Sequence, residues 1–121
     1  MGGHMEIRSI NARRLLESAC NLFELGDHKK AIKVFLKAAA LGSVEAQINI
    51  ANVYNEGDGI KSDFDQARYW YKRAISLGSP EAAYNLGTSY LNRGNARWAK
   101  YWLTFARSLG DEDADEQLSR L

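Results

Sequence analysis

The run EGDGIKSDFD, residues 56–65, concentrates the residue types that could bind a cation or a phosphate. A calcium-binding EF-hand loop needs oxygen ligands at its first, third and fifth positions and a glycine at its sixth. Counting from Asp58, the third position is Ile60, and the sixth is Asp63 instead of glycine. A phosphate-binding loop needs G-x-x-x-x-G-K-[ST] after a strand, and here the lysine is at the wrong spacing. The run is therefore predicted to be a turn between two helices, with Asp63 capping the second helix.

The other side chains with catalytic or metal-binding chemistry are few and isolated. Cys20 is the only cysteine, which excludes a disulfide within the chain, and its apolar neighbours predict a packed, structural thiol. Apart from His4, the only histidine is His28, which we expect in a solvated turn between helices and not in a catalytic role. One cysteine and one histidine cannot form a zinc-type cluster. We therefore expect no enzyme activity, no cofactor and no metal.

The bulk composition is that of one ordinary globular domain. The chain has 121 residues, and its formal net charge is +1, which leaves no strong basic footprint for nucleic acid or an anionic membrane. The first four residues, MGGH, are typical of a tag remnant, so we expect the natural start at Met5 and a single domain over residues 5–121. We expect a cytoplasmic protein, while a signal peptide that was removed stays an alternative.

An internal repeat organises the chain. The segment AIKVFLKAAALGSVEA from Ala31 recurs 36 residues later as ARYWYKRAISLGSPEA, and a further 32 residues on as AKYWLTFARSLGDEDA. Small and aromatic residues hold the matched positions, close to the spacing of amphipathic helices. Each copy is predicted to be a pair of helices, which in the middle copy span about residues 45–55 and 65–77. The units run over about residues 13–44, 45–80 and 81–112, and a short capping helix follows over residues 113–121.

The predicted helix boundaries carry matching signals in every unit. A glycine after a leucine is expected to end each second helix in the left-handed conformation, at Gly42, Gly78 and Gly110. The next residue is serine, serine and aspartate in turn, and each has an oxygen that can cap the following helix. Gly87 lies midway along a first helix, where a bulky substitution is predicted to overpack the helix pair at a cost of ~1–3 kcal/mol.

These residues resemble the Sel1-like repeat, a relative of the tetratricopeptide repeat. The middle unit carries the family's Y-x-x-G-x-G pattern over residues 54–59 and its A-x-x-W-Y pattern over residues 67–71. It departs from the family at Arg73, where lysine is usual, and at Ala51, where glycine is usual. The first and third units have a shorter turn without the Gly-x-Gly insert. The resemblance covers about residues 13–121 and implies an all-α, right-handed α-solenoid that acts as a protein-interaction scaffold.

In such solenoids the first helix of each unit lines the concave face. If Ala19, Ala51 and Gly87 make the inward contacts, the opposite face of these helices is predicted to form a groove for a protein or peptide partner. It mixes apolar anchors with amides, as peptide-binding surfaces do. In an alternative interpretation, some of its apolar members pack against one another or against the N-terminal segment. The predicted groove residues are Leu16, Cys20, Phe23, Ile48, Asn52, Asn55, Tyr84, Thr88, Leu91 and Asn92.

Trp98 is a candidate exposed contact outside this groove. It belongs to the segment RWAKYW, whose mixture of basic and aromatic residues is also seen where single-stranded nucleic acids stack. Tyr101 and Trp102 have aromatic equivalents in the middle unit, so core packing explains them. Trp98 aligns with Gln66 and Lys30 and has no such equivalent.

The leading hypothesis is a non-enzymatic interaction module that binds a protein or peptide partner in the concave groove. Its sharper form is a bacterial adaptor or an immunity protein that neutralises an effector. The alternative is a structural or self-associating fragment of a larger scaffold, so a homo-oligomer stays among the expected assemblies. We expect no nucleic acid, membrane or metal partner.

Overall fold

The computed structural model describes residues 2–121, with side chains described from Glu6 onward. These residues form seven α-helices and no strand, which confirms the predicted all-α fold of helix–turn–helix repeats. No helix in this range is both long and apolar enough to cross a membrane. The helices are α1 Gly2–Glu24, α2 His28–Ala40, α3 Val44–Glu56, α4 Phe64–Ser76, α5 Pro80–Asn92, α6 Ala96–Ser108 and α7 Asp113–Ser119.

The ends of the middle helix pair lie within one residue of the predicted positions. Helix α3 begins after Ser43, whose hydroxyl accepts a hydrogen bond of 3.1 Å from the Ala46 amide. It ends at Glu56, and the capping residue Gly57 adopts a left-handed φ of 71°. Asp63 accepts a 3.1 Å hydrogen bond from the Gln66 amide, which confirms it as the cap of α4. These contacts are local, so the sequence alone was enough to predict them.

The same signals recur at the other repeat boundaries. Gly42, Gly78 and Gly110 have φ values of 98°, 92° and 100°, the left-handed conformation expected after a helix. The Ser79 hydroxyl accepts from the amide three residues on at 3.1 Å, and Asp111 does the same at 3.1 Å. The turn after each second helix is therefore built in the same way.

Helix α1 is longer than the sequence analysis indicated. The first repeat is predicted to start at about residue 13, whereas α1 begins at Gly2. Neither glycine nor proline occurs between Met5 and Glu24, so no residue with a low helix propensity interrupts the helix. The predicted tag remnant, residues 1–4, lies outside the residues whose side chains are described.

The chain divides into two compact units, Met1–Trp70 and Tyr71–Leu121. In the first unit, α1 packs on α2 and α2 on α3, around fully buried alanines and larger side chains such as Phe35 and Ile50. In the second unit, α5 packs on α6 and α6 on α7, around Leu86 and Leu103. The small residues let the helix axes approach, and the large ones fill the remaining space.

Candidate functional site

The glycine- and acid-rich run that raised the question of a cation or phosphate site is a packed turn between α3 and α4. Gly57 and Gly59 both adopt left-handed conformations, with φ of 71° and 81°. The described residues contain no group of three or more metal-ligating side chains. A Cβ added to Gly59 would lie 2.5 Å from the Cβ of His28, so this position needs glycine for close packing as well as for its backbone conformation.

His28 differs from the sequence expectation. It is the first residue of α2 and is half-buried, whereas a solvated turn residue was expected. Its ring stacks on Phe23, with ring centroids 4.3 Å apart and an interplanar angle of 19°. Its Nδ1 lies 3.9 Å from a carboxylate oxygen of Asp58. The histidine therefore joins the first inter-helix turn to the glycine-rich turn, a long-range contact with no local sequence signal.

Cys20 is half-buried on α1. Burial, and then the nearby carboxylates of Glu45 and Glu24, raise the pKa of its thiol above the ordinary value. A thiol with a raised pKa carries less thiolate at neutral pH and is a weak nucleophile. This supports the expected structural role of Cys20.

The first unit contains an open cleft between α1 and the start of α3. Its volume is about 1320 Å³, which is large enough for several residues of an extended peptide. Two of the predicted groove residues, Leu16 and Cys20, line it. The cleft is bounded on α1 by Arg8, Ser9, Ala12, Arg13, Leu16, Glu17, Cys20 and Asn21, and opposite them by Leu41, Gly42, Ser43, Val44 and Glu45.

The rim of this cleft carries charges of both signs. Arg8, Arg13, Glu17 and Glu45 are exposed, and none of the four forms a salt bridge with another described residue. The floor beneath them includes the apolar side chain of Leu16. A peptide could therefore bury an apolar residue in the cleft while its own charged groups pair with the rim.

Sequence reasoning missed these four charged residues. Arg8 lies before the predicted start of the first unit, in the part of α1 that was not assigned to a repeat. The signal that could have found it is the uninterrupted helix-forming run after Met5. Glu45 was recognised only as a residue matched between repeats, because no neighbouring residue in the sequence indicates that it borders a cleft.

The other predicted groove residues of the first unit do not line the cleft. Ile48 is only 6% exposed and belongs to the core, and Asn52 and Asn55 are half-buried on α3. Phe23 packs internally, stacked on His28 and with its ring 6.3 Å from that of Phe35. A partner contact at these four positions stays a prediction.

The remaining four predicted residues lie on α5 in the second unit. The Tyr84 hydroxyl accepts a 3.4 Å hydrogen bond from the Gln117 side chain of α7. Thr88 donates through its hydroxyl to the Asn85 carbonyl at 3.0 Å. Leu91 is half-buried and Asn92 is exposed. Their role in binding also stays a prediction.

Trp98 is exposed on α6, with 42% of its surface accessible. Its ring stacks against Tyr90 at a centroid distance of 6.3 Å and meets Tyr101 edge-on at 5.4 Å. Tyr101, which was expected in the core, is itself exposed, because it lies on the side of α6 away from Ala99 and Leu103. The indole is therefore anchored by aromatic neighbours while part of it stays open to solvent. Its use as a contact stays a prediction.

Helix–turn–helix units of 32–36 residues, each ended by a left-handed glycine, define an α-helical repeat protein of the solenoid class. The family model for the Sel1 repeat matches residues 24–43, 44–79 and 80–111. The chain belongs to the Sel1 repeat family.

Known proteins agree with this assignment. A Sel1 repeat protein from Oxalobacter formigenes has a similar structure, with a TM-score of 0.74, 26% identity and coverage of 98% of this chain and 96% of that one. The type III secretion chaperone SycD of Yersinia enterocolitica, in complex with a peptide of the translocator YopD, matches with a TM-score of 0.67 and 19% identity, over 89% and 84% of the two chains. The second likeness shows the fold alone.

A curated relative is chitin synthase regulatory factor 4 of Schizosaccharomyces pombe, which is 36% identical over 85 residues. The match spans 69% of this chain and 13% of that relative, so this chain corresponds to a small part of its length.

Proposed function

We propose that this chain binds a segment of a partner protein, and that the cleft between α1 and the start of α3 holds an extended part of that segment. The observation that carries the proposal is the cleft itself, with its volume of about 1320 Å³, its half-buried apolar residues Leu16 and Val44, and its exposed charged residues without salt-bridge partners in the described part of the chain. The SycD structure supports it, because a chaperone with the same fold is seen there with a peptide bound.

The sharper form of the proposal is an adaptor or an immunity protein of bacterial origin. Either role requires a stable complex with one protein. The genes next to its own would separate the two roles. An adjacent toxin gene favours immunity, and an adjacent secretion or signalling gene favours an adaptor.

The cleft can be tested by site-specific photo-crosslinking, since Cys20 is the only cysteine. A benzophenone maleimide attached there at mildly alkaline pH should capture the partner during co-purification from source cells. The matched control is Cys20→Ser with Ser18→Cys, because Ser18 is exposed on the same helix and lies outside the cleft. Equal capture from both positions would contradict the proposal.

A substitution test complements the crosslinking. Leu16→Arg puts a charge on the cleft floor and should weaken partner binding about ten-fold or more, because the charge loses hydration when the floor is covered. Ser18→Arg adds the same charge on the exposed side of α1 and should leave the affinity unchanged. A Tyr84→Ala, Asn52→Ala double variant tests the rest of the predicted groove, and an unchanged affinity for the captured partner would remove these residues from it.

A further inference from the structure

One face of α6 forms a continuous stripe of exposed basic, aromatic and hydroxyl side chains. Its members recur at helical spacing on the side opposite the fully buried Ala99, Leu103 and Ala106. Helix α6 contains no acidic residue. The stripe, called here the α6 face, consists of Arg97, Lys100, Tyr101, Thr104, Phe105 and Ser108.

Two shallow clefts meet along this face. One has a volume of about 410 Å³ and contains Leu118 and Leu121 from the C-terminal segment. The other has a volume of about 460 Å³ and contains Tyr101 and Phe105. Arg97, Lys100 and Thr104 line both, so two cations lie between two apolar patches.

The two cations have no carboxylate partner in the described part of the chain. Arg107, which borders the first cleft, pairs with Asp115 of α7 at 3.5 Å. Neither Arg97 nor Lys100 makes a salt bridge or a side-chain hydrogen bond there, and both are exposed. Their charges are thus available to a ligand.

In the middle repeat, the two residues equivalent to Arg97 and Lys100 form a salt bridge with each other. Lys100 corresponds to Arg68, and Arg97 corresponds to Asp65, by the 32-residue shift between the repeats. Arg68 pairs with Asp65 at 3.0 Å. In the third repeat Lys100 takes the place of Arg68, and a second cation, Arg97, takes the place of Asp65.

In the first repeat, the equivalents of Lys100 and of Arg107 beside the face are covered by the protein, whereas the equivalents of Tyr101 and Phe105 stay exposed. Lys100 aligns with Ile32, which is 7% exposed, and Arg107 aligns with Ala39, which is fully buried. Burial of an unpaired cation is strongly unfavourable. An apolar helix that covered Lys100 as Ile32 is covered would bury an unpaired cation, so a suitable occupant brings carboxylates.

We propose that the α6 face binds a short acidic protein segment in which carboxylates alternate with large apolar side chains. The carboxylates pair with Arg97 and Lys100, and the apolar side chains enter the two clefts beside Phe105 and Leu118. This site shares no residue with the α1–α3 cleft and adds a second docking point to the proposed function. A long polyanion such as RNA fits less well, because beyond the two cations it would run past Arg107, whose charge Asp115 already pairs at 3.5 Å.

The test uses fluorescence anisotropy with a fluorescein-labelled peptide, Glu-Glu-Leu-Asp-Glu-Phe-Glu-Leu, and a control peptide with Gln and Asn in place of Glu and Asp. The full chain should bind the acidic peptide and not the control. Arg97→Gln with Lys100→Gln should weaken binding about ten-fold. The matched control, Lys33→Gln with Lys37→Gln, makes the same change in net charge on the exposed side of α2 and should have little effect.

A second variant separates a specific site from general charge attraction. Arg97→Asp gives Lys100 the carboxylate neighbour that Arg68 has in the middle repeat, so peptide binding should be lost while the helical circular dichroism spectrum stays unchanged. Phe105→Ser should weaken binding by removing the apolar contact. The proposal would be overturned if Lys33→Gln with Lys37→Gln weakened peptide binding as much as Arg97→Gln with Lys100→Gln. It would also be overturned if the full chain did not bind the acidic peptide. So would equal displacement of the peptide by a 12-nucleotide RNA or by vesicles with 30% anionic lipid.

Discussion

Replacing Gly87 by alanine introduces a methyl group into the contact between α5 and α6. The new Cβ would lie 2.8 Å from Cγ, 3.0 Å from Cδ2 and 3.1 Å from the backbone nitrogen of Leu103. Leu103 is fully buried, and neither its Cγ nor its backbone can move aside as the free end of a flexible side chain would. The helices must therefore separate slightly around the methyl group.

Two opposing effects determine the size of the change. Glycine to alanine inside a helix stabilises by ~1 kcal/mol, whereas overpacking of a tight core costs ~1–3 kcal/mol. Because a backbone atom is among the close neighbours, we take the upper half of that range. Gly87→Ala is expected to lower the free energy of unfolding by ~1–2 kcal/mol.

The assay is urea denaturation followed by circular dichroism on four proteins, namely the wild type, Gly87→Ala, Leu103→Ala and the double variant. Leu103→Ala alone should cost ~2–5 kcal/mol, because it leaves a cavity. In that background two of the three close atoms are gone, so the added methyl group should be neutral or stabilise by up to ~1 kcal/mol. In the Leu103→Ala background, the destabilisation caused by Gly87→Ala should therefore disappear or become a small stabilisation.

The refuting result is additivity. Distant, independent substitutions add within ~0.5 kcal/mol, so a coupling below that size would mean that Leu103 does not limit the space at Gly87. Ala51→Gly is the control, because Ala51 is the equivalent residue of the middle repeat and already accommodates a methyl group. Its loss should destabilise by ~1 kcal/mol or somewhat more.

Two further predictions concern the first unit. Gly59→Ala should destabilise by ~2–4 kcal/mol in urea denaturation, since its left-handed φ and the 2.5 Å approach to His28 both oppose a Cβ. Gly26 has a similar φ of 85° but open space around it, so Gly26→Ala should lower the free energy of unfolding by only ~1–2 kcal/mol. Equal destabilisation by the two substitutions would mean that the contact with His28 does not contribute to the cost at Gly59. The raised pKa of Cys20 means less thiolate at a given pH, so iodoacetamide should alkylate it more slowly at pH 8 than the cysteine of a Cys20→Ser, Ser18→Cys variant. The alkylation rate should also reach half its maximum at a higher pH for Cys20, and matching pH profiles would contradict the burial argument.

The amino-acid sequence alone determined the local features of this protein. The caps at Ser43, Ser79 and Asp63, and the left-handed glycines, depend on hydrogen bonds between residues three to five apart. Such contacts are encoded by neighbouring residue types, and the repeat supplied three copies of the same evidence. The all-α repeat fold and the family followed from them.

The tertiary structure decided the features that join distant residues. His28 meets Gly59 across 31 positions of sequence, and this contact turns a predicted solvated histidine into a packed one. The cleft beside Cys20 exists because α1 continues toward the N-terminus and the start of α3 lies opposite it. The free charge of Lys100 is also apparent only once its surroundings are known. Burial and pairing depend on which helices approach each other, and sequence periodicity reports the face of a helix but not the neighbour that covers it.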